Sequence, residues 1–324
     1  MERSNYLDTL KGLLIFLVCL GHGIQYNGYI NKTAFWNDPI FEGIYSFHMP
    51  LFMAISGFLA FNFTKKISLS SSIKKLSCLI VPILSWTSLY LIFLLVTNSN
   101  SMNLTKIIST YLFGLWYLWA LAISYLYLIL FTMRRYISLL ILTAIILYLK
   151  SYYTLYMFIY TFPYFVIGLM CAKYKWHLLV HNNYKTVVLF VIPITLLSMF
   201  FWNKETYIYV TKMDFTLYNV KNITLRWIAG LSNSILACII VYRLKFNKIS
   251  ILSTVGKYSL IIYALSIYAQ QNFRPVYETN NSFVAEMQAV IFATGMLLVG
   301  LGISKIILKN NTLSYFLAGT VNKR

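Results

Sequence analysis

Apolar runs long enough, or nearly so, to cross a lipid bilayer recur from one end of this chain to the other, near 10–30, 43–63, 79–96, 107–131, 136–149, 154–172, 185–202, 225–242, 251–271 and 284–308. No other feature narrows the fold as far, because a hydrocarbon core of roughly 30 Å asks for about 20 helical residues at each crossing. The expected fold is therefore all-α, a polytopic integral membrane helical bundle of about ten transmembrane helices. The composition agrees, with 59% hydrophobic and 11% charged residues. The run 136–149 is short and reads as tilted into its neighbours or partly re-entrant. No small-residue cleavage site follows the first run, so it reads as a span and not as a removed leader. Residues 1–324 are expected to form one membrane-embedded domain without a fused soluble part, which leaves any chemistry to residues inside the bilayer.

Positive residues that flank the spans stay cytoplasmic. With the N-terminus inside, Lys32, Lys106, Lys150, Lys204, Lys212, Lys221, Arg226 and Arg274 face out, and the other nineteen of the 27 basic residues face in. Both termini are thus expected in the cytoplasm, with the longest loop, 203–224, outside. A net charge of +19 spread over short loops is not the footprint of a nucleic-acid-binding face. These residues set topology and touch phospholipid headgroups, and the inner loops also attract a polyanionic cytoplasmic ligand. Cys19, Cys78, Cys171 and Cys238 lie in or at the ends of spans without metal-ligand spacing, so neither a disulfide scaffold nor a metal site is expected.

The first run, "LDTLKGLLIFLVCLGHGI", carries Asp8, Lys11 and His22. At about 100° per residue the steps from Lys11 to His22 close roughly three turns, so both share a face with Asp8, and Ile15, Val18 and Cys19 lie between them. At about 1.5 Å per residue His22 sits roughly 16 Å beyond Lys11, past the midplane. Ionisable groups inside a span are costly and usually face the bundle interior. Lys11 reads either as a functional cation or as a snorkelling anchor. His22, flanked by Gly21 and Gly23, reads as a reactive group or as a packing hydrogen bond. The second run, "FEGIYSFHMPLFMAISGFLAF", enters from the other side and brings His48 to a similar depth. Pro50 frees backbone carbonyls near Phe47, so His48 is either a partner of His22 or bonded to that backbone.

Five stretches in a shared order carry a resemblance: "YLDTLKG" then "GH", with ten residues between Lys11 and His22; "FHMPLFMAISGFL"; "LWYLWAL" at 115–121; "FPYFVIGLM" at 162–170; and "VGKYSLIIYALS" at 255–266. In this order they resemble the acyltransferase family 3 membrane proteins, and within them the fucose O-acetyltransferase-like branch. Two departures stand out. Relatives commonly carry two basic residues three apart in the loop before the third span, where this chain has adjacent Lys74 and Lys75 and then Cys78. Many also close the late motif with His, where this chain has Ser266.

The resemblance implies a membrane O-acyltransferase, usually an O-acetyltransferase, in the inner (cytoplasmic) membrane of a bacterium. It would move an acyl group from cytoplasmic acyl-CoA to a sugar hydroxyl of an O-antigen, capsule, exopolysaccharide or lipid-linked precursor. It implies His22 as the catalytic residue, with Lys11, Lys74 and Lys75 holding the phosphates of the donor. Asp8, Glu42, His48, Ser56, Trp116 and Trp119 are implied as substrate contacts or supports of the site, and Tyr117 joins the tryptophans as a ring that could stack on a sugar. No permanently bound cofactor is expected: acetyl-CoA enters as donor substrate, and the remaining partners are the glycan acceptor and membrane lipids. An imidazole titrates near neutral pH, which suits His22 to take the proton of the attacking hydroxyl. Acceptance of the acyl group by His22 itself, followed by relay, is equally compatible. A different class of reading is a transporter or flippase for a glycan precursor, with His22, His48 and Glu42 along a polar path. Against it, no internal repeat is visible, and Asp8, Asp38, Glu42, Glu205, Asp214, Glu278 and Glu286 all lie at or near span ends.

Overall fold

The computed structural model describes residues 5–29, 33–97, 103–244, 250–270, 272 and 279–320. Arg3, Lys32, Lys245, Lys248, Arg274, Glu278, Lys323 and Arg324, which enter the charge pattern, lie outside them. Among the described residues the structure is helical, without strands. Helix α1 (Asn5–Gly23) continues through a widened π-type turn, Ile24–Gly28, and is followed by α2 (Pro39–Thr64), α3 (Leu69–Thr97), α4 (Leu104–Phe113) and α5 (Trp116–Thr132). Then come α6 (Tyr136–Tyr148), α7 (Tyr153–Lys173), α8 (Trp176–Asn182), α9 (Tyr184–Phe200) and α10 (Leu217–Arg243). The chain closes with α11 (Ser250–Lys257), α12 (Ser259–Gln270), α13 (Ser282–Lys309) and α14 (Asn311–Ala318).

Every apolar run lands on a helix, but the runs divide into three kinds. α1 with its extension, α2, α3, α7, α10 and α13 are each long and apolar enough to cross a membrane alone. α4 with α5, bent by 59°, and α11 with α12, bent by 77°, qualify only as broken pairs. α6 and α9 have 13 and 17 residues. The chain is a multi-pass membrane protein in which six to eight helices among the described residues are long and apolar enough to span, and the two short helices stand where the remaining two of the ten expected spans were placed.

The packing inverts that of a water-soluble bundle. α1, with its polar stripe, is buried almost all round and is surrounded by α2, α11, α12 and α13. The uniformly apolar α6 and α9 turn Ile137, Leu140, Leu147, Leu189, Phe190 and Leu197 outward, as expected where the solvent is lipid. α1 and α11 cross at backbone distance. A Cβ on Gly12 would strike the Leu252 carbonyl, and one on Gly256 would strike the Asp8 carbonyl, so the two ends of the family-like pattern meet here. α7, bearing the mid-chain stretch, lies along α2, bearing the second.

α2 starts cleanly because Asp38 caps it, accepting from the Phe41 backbone N–H at 2.8 Å, with Pro39 in the first turn. The segment 203–224, expected as one long outer loop, is not a loop throughout. Its last residues belong to α10, and the rest folds back into the bundle, burying Tyr207, Ile208 and Met213 just after the buried Trp202.

Candidate active site

His22 ends the regular part of α1, and the widened turn behind it brings Gln25 back toward its ring. His22 Nδ1 lies 3.3 Å from Gln25 Oε1 and 3.1 Å from the Tyr45 hydroxyl, which itself donates to Gln25 Oε1 at 3.1 Å. Because the Tyr45 proton points to Gln25, the consistent arrangement places a proton on Nδ1, donated to the tyrosine and amide oxygens. Nε2 is then left with a lone pair. Gly21 leaves the space that the Tyr45 ring fills, since a Cβ there would lie 2.8 Å from it. Neither Gln25 nor Tyr45 was singled out by the sequence. Gln25 follows the helix proper, and Tyr45 is one of 27 tyrosines.

His48 does not touch His22. Its Nδ1 donates to the Ile44 carbonyl at 2.6 Å, leaving Nε2 as an acceptor. That carbonyl lies four residues before His48 itself, whereas Pro50 deprives Ser46 of its ladder partner, so the predicted carbonyl near Phe47 is not the one used. The Tyr45 ring stands between the two imidazoles, with ring centroids 4.8 Å from His48 and 6.2 Å from His22.

Two cavities flank this cluster. The first, about 130 Å³, opens by Lys11 and runs past Ile15 and Val18 to Ser56, Tyr117 and Tyr263. Its walls are thus the stripe of α1 that leads toward His22. Lys11 Nζ is paired with Asp8 Oδ1 at 2.7 Å, and the Ser56 and Tyr117 hydroxyls are 3.0 Å apart. Tyr263, from the late family-like stretch, brings a buried hydroxyl close to the Tyr117 backbone. The second cavity is small, about 20 Å³, and is lined by Tyr45, His48, Trp116, the in-folded Trp202, Tyr207 and Tyr209, and Arg226. Met49 lines both, and Trp116 and Tyr117 are successive residues facing different cavities. His22 lines neither directly and reaches the second through Tyr45.

Other expected site residues lie elsewhere. Lys74 and Lys75 are on the first turns of α3 and not in a loop, because that helix begins ten residues before the expected span. Lys74 is exposed, while Lys75 turns back so that its Nζ sits 4.3 Å from the centre of the Tyr125 ring. Trp119 is occupied structurally, its Nε1 donating to the Tyr111 carbonyl at 2.9 Å. Glu42 sits in the first turn of α2, outside both cavity linings. Ser266 is buried with its hydroxyl donating to the Tyr263 carbonyl at 2.9 Å. Arg226, read from sequence as an outer topology residue, is buried at 1% exposure. All four cysteines are free, and no group of three or more metal-ligating side chains occurs among the described residues.

Comparison with known proteins agrees with this arrangement of stretches. The acyltransferase domain family, acyltransferase family 3, matches residues 4–309. The nodulation protein NolL of Mesorhizobium japonicum is 32% identical over 224 residues, covering 64% of this chain and 59% of that protein. NolL of Sinorhizobium fredii is 32% identical over 223 residues, covering 64% and 60%. The match therefore spans about three fifths of the length of these curated relatives. No solved structure matches the chain. With the family pattern running through nearly all of its helices, the chain belongs to acyltransferase family 3.

Proposed function

We propose that this protein is a membrane O-acyltransferase that takes an acyl group, acetyl in the simplest case, from cytoplasmic acyl-CoA and places it on a hydroxyl of a cell-envelope glycan or its lipid-linked precursor. The observation that carries the reading is the pair of cavities that meet at Met49, one opening beside Lys11 and the other joined to His22 by Tyr45. By the distribution of basic residues the Lys11 end is cytoplasmic, in a bacterial inner membrane. Lys11 then stands where the phosphates of CoA arrive, and the thioester lies up the first cavity toward Ser56, Tyr117 and Tyr263.

The sugar hydroxyl oxygen attacks the thioester carbon and gives its proton to His22 Nε2. The carbon–sulfur bond breaks, and the departing thiolate recovers that proton from the imidazolium. Gln25 and Tyr45 hold the ring with Nδ1 protonated, so that Nε2 is the basic atom. The same nitrogen would be the nucleophile if the acyl group passed through histidine. The deciding experiment mixes purified protein in nanodiscs with acyl-labelled CoA, with and without envelope glycan. Acceptor-dependent release of free CoA with label on the glycan is expected, and no CoA release under any condition would sink the proposal. Label retained on the protein without acceptor marks the histidine relay, and its absence marks direct transfer.

A further inference from the structure

Arg226 lines the wall of the second cavity from α10, the same cavity that Tyr45 and His48 line. Its Nε donates to the Thr206 carbonyl at 2.6 Å and one Nη to the Thr211 carbonyl at 2.7 Å, with Met213 Sδ 3.6 Å from the other. No carboxylate pairs with it among the described residues, and no Asp or Glu lines the cavity. Asp38 is committed to Tyr29 and to the cap of α2, and Glu42 is felt only across space, at Tyr207. A buried cation without a counter-ion is strongly unfavourable, and two carbonyl dipoles replace only part of its lost hydration.

Two more donors border the same space. The Trp202 indole N–H and the Tyr207 hydroxyl are buried, at 7% and 2% exposure, with their rings edge-on at 5.3 Å; the indole N–H interacts with the Tyr207 oxygen, and the Tyr207 proton has no acceptor among the described residues. The indole can only donate. Burial, partly offset by the Trp202 N–H and reinforced by Glu42 and Asp38, raises the Tyr207 hydroxyl above its ordinary range, so it remains protonated and able to donate. A guanidinium and a free hydroxyl proton, in a small cavity walled by Trp116 and Tyr209, ask for acceptor oxygens that carry negative charge.

We infer that this cavity is the anion subsite for an acidic saccharide, taking only its carboxylate or phosphate, seated against Arg226 and met by the Tyr207 hydroxyl that Trp202 orients. Calling that saccharide the acyl acceptor rests on the proposed function; the anion site itself rests on the cavity.

The test follows tryptophan fluorescence of the purified protein in nanodiscs of neutral lipid, titrated with glucuronate, glucose 1-phosphate, glucose and inorganic phosphate. Glucuronate or glucose 1-phosphate should bind at least tenfold more tightly than glucose, and the advantage should shrink as salt is raised. Preference for glucuronate identifies a carboxylate sugar, and preference for glucose 1-phosphate a sugar phosphate. Arg226→Gln should erase the advantage, Arg226→Lys should keep part of it, and Trp202→Phe, which keeps a ring but loses the N–H, should reduce it a few-fold. Glucose binding as tightly as both anionic sugars overturns the inference, as does inorganic phosphate matching them or no probe binding at millimolar concentration. So does an unchanged advantage in Arg226→Gln or, should that variant not fold, in Trp202→Phe. Anion preference without any acyl transfer would count against the acyltransferase reading alone. Acyl transfer to neutral and anionic sugars with equal efficiency would count against the anion site alone.

Discussion

The molecule keeps one cation at the edge of each cavity and treats the two in different ways. Lys11 stands at a mouth, partly exposed, with Asp8 three residues earlier on the same helix at 2.7 Å. Arg226 lies deep, without a paired acid among the described residues, held by two carbonyls and the Met213 sulfur of the segment that folds over it and lying 5.6 Å from the centre of the Tyr160 ring. A lysine whose charge is already balanced on its own helix can turn outward to meet a mobile polyanion and return when it leaves. A planar guanidinium fixed at two of its edges is preorganised for one geometry. The contrast suits a donor that comes and goes through a shared pool and an acceptor that has to be held in register with His22.

The largest expected effect asks whether the two cavities serve one reaction. His22→Ala should lower acyl transfer by roughly 10²- to 10⁴-fold, the usual range for removing a general base. The protein should still accumulate in the membrane, since losing an imidazole does not hinder insertion of α1. Transfer measured with labelled acyl-CoA at the wild-type rate would separate the cavities from the chemistry.

Next comes the mouth. Lys11→Ala should raise the KM for acyl-CoA by roughly ten- to a hundredfold, as a charge-assisted contact worth about 1.5–3 kcal/mol would. kcat should change less, because a phosphate far from the reacting carbon is held alike in ground and transition states. Lys11→Arg should lose less than Lys11→Ala. Equal loss in both would mean that Lys11 matters for its fit to Asp8 and not for its charge.

The smallest effect concerns α3. Lys74→Ala with Lys75→Ala should raise the same KM only a few-fold and in a salt-sensitive way, because an exposed charge such as that of Lys74 contributes up to about 1 kcal/mol. Lys75 is partly spent on the Tyr125 ring. A change as large as that of Lys11→Ala would move the principal phosphate contact from α1 to α3.

Periodicity made the first helix readable: the stripe Lys11, Ile15, Val18 faces one cavity, as a helix repeat requires. Runs of apolar residues also located every long helix. Three things escaped for physical reasons. Run length does not report a bend, so the breaks at 114–115 and 258 were invisible, although Tyr258 lies within a quoted stretch. A positive residue near a span end looks the same whether it touches lipid headgroups or, like Arg226, is drawn inside by carbonyls contributed from a loop. The Gln25 and Tyr45 contacts to His22 depend on a widened turn and on a neighbouring helix, and no local pattern announces either.

Met49, on the border of both cavities, bears on a different quantity. A membrane held at 100 mV stores about 2.3 kcal/mol for every elementary charge that can fall through it, so an open water-filled bore would short-circuit the cell. A thioether offers a hydrated ion nothing in exchange for its water shell, yet its three rotatable bonds let it swing aside for a small uncharged group. With Met49 in the walls of both cavities, an apolar side chain stands where a continuous aqueous bore between them would have to pass. The permissible leak of current, as much as the speed of turnover, then limits how small that residue can be.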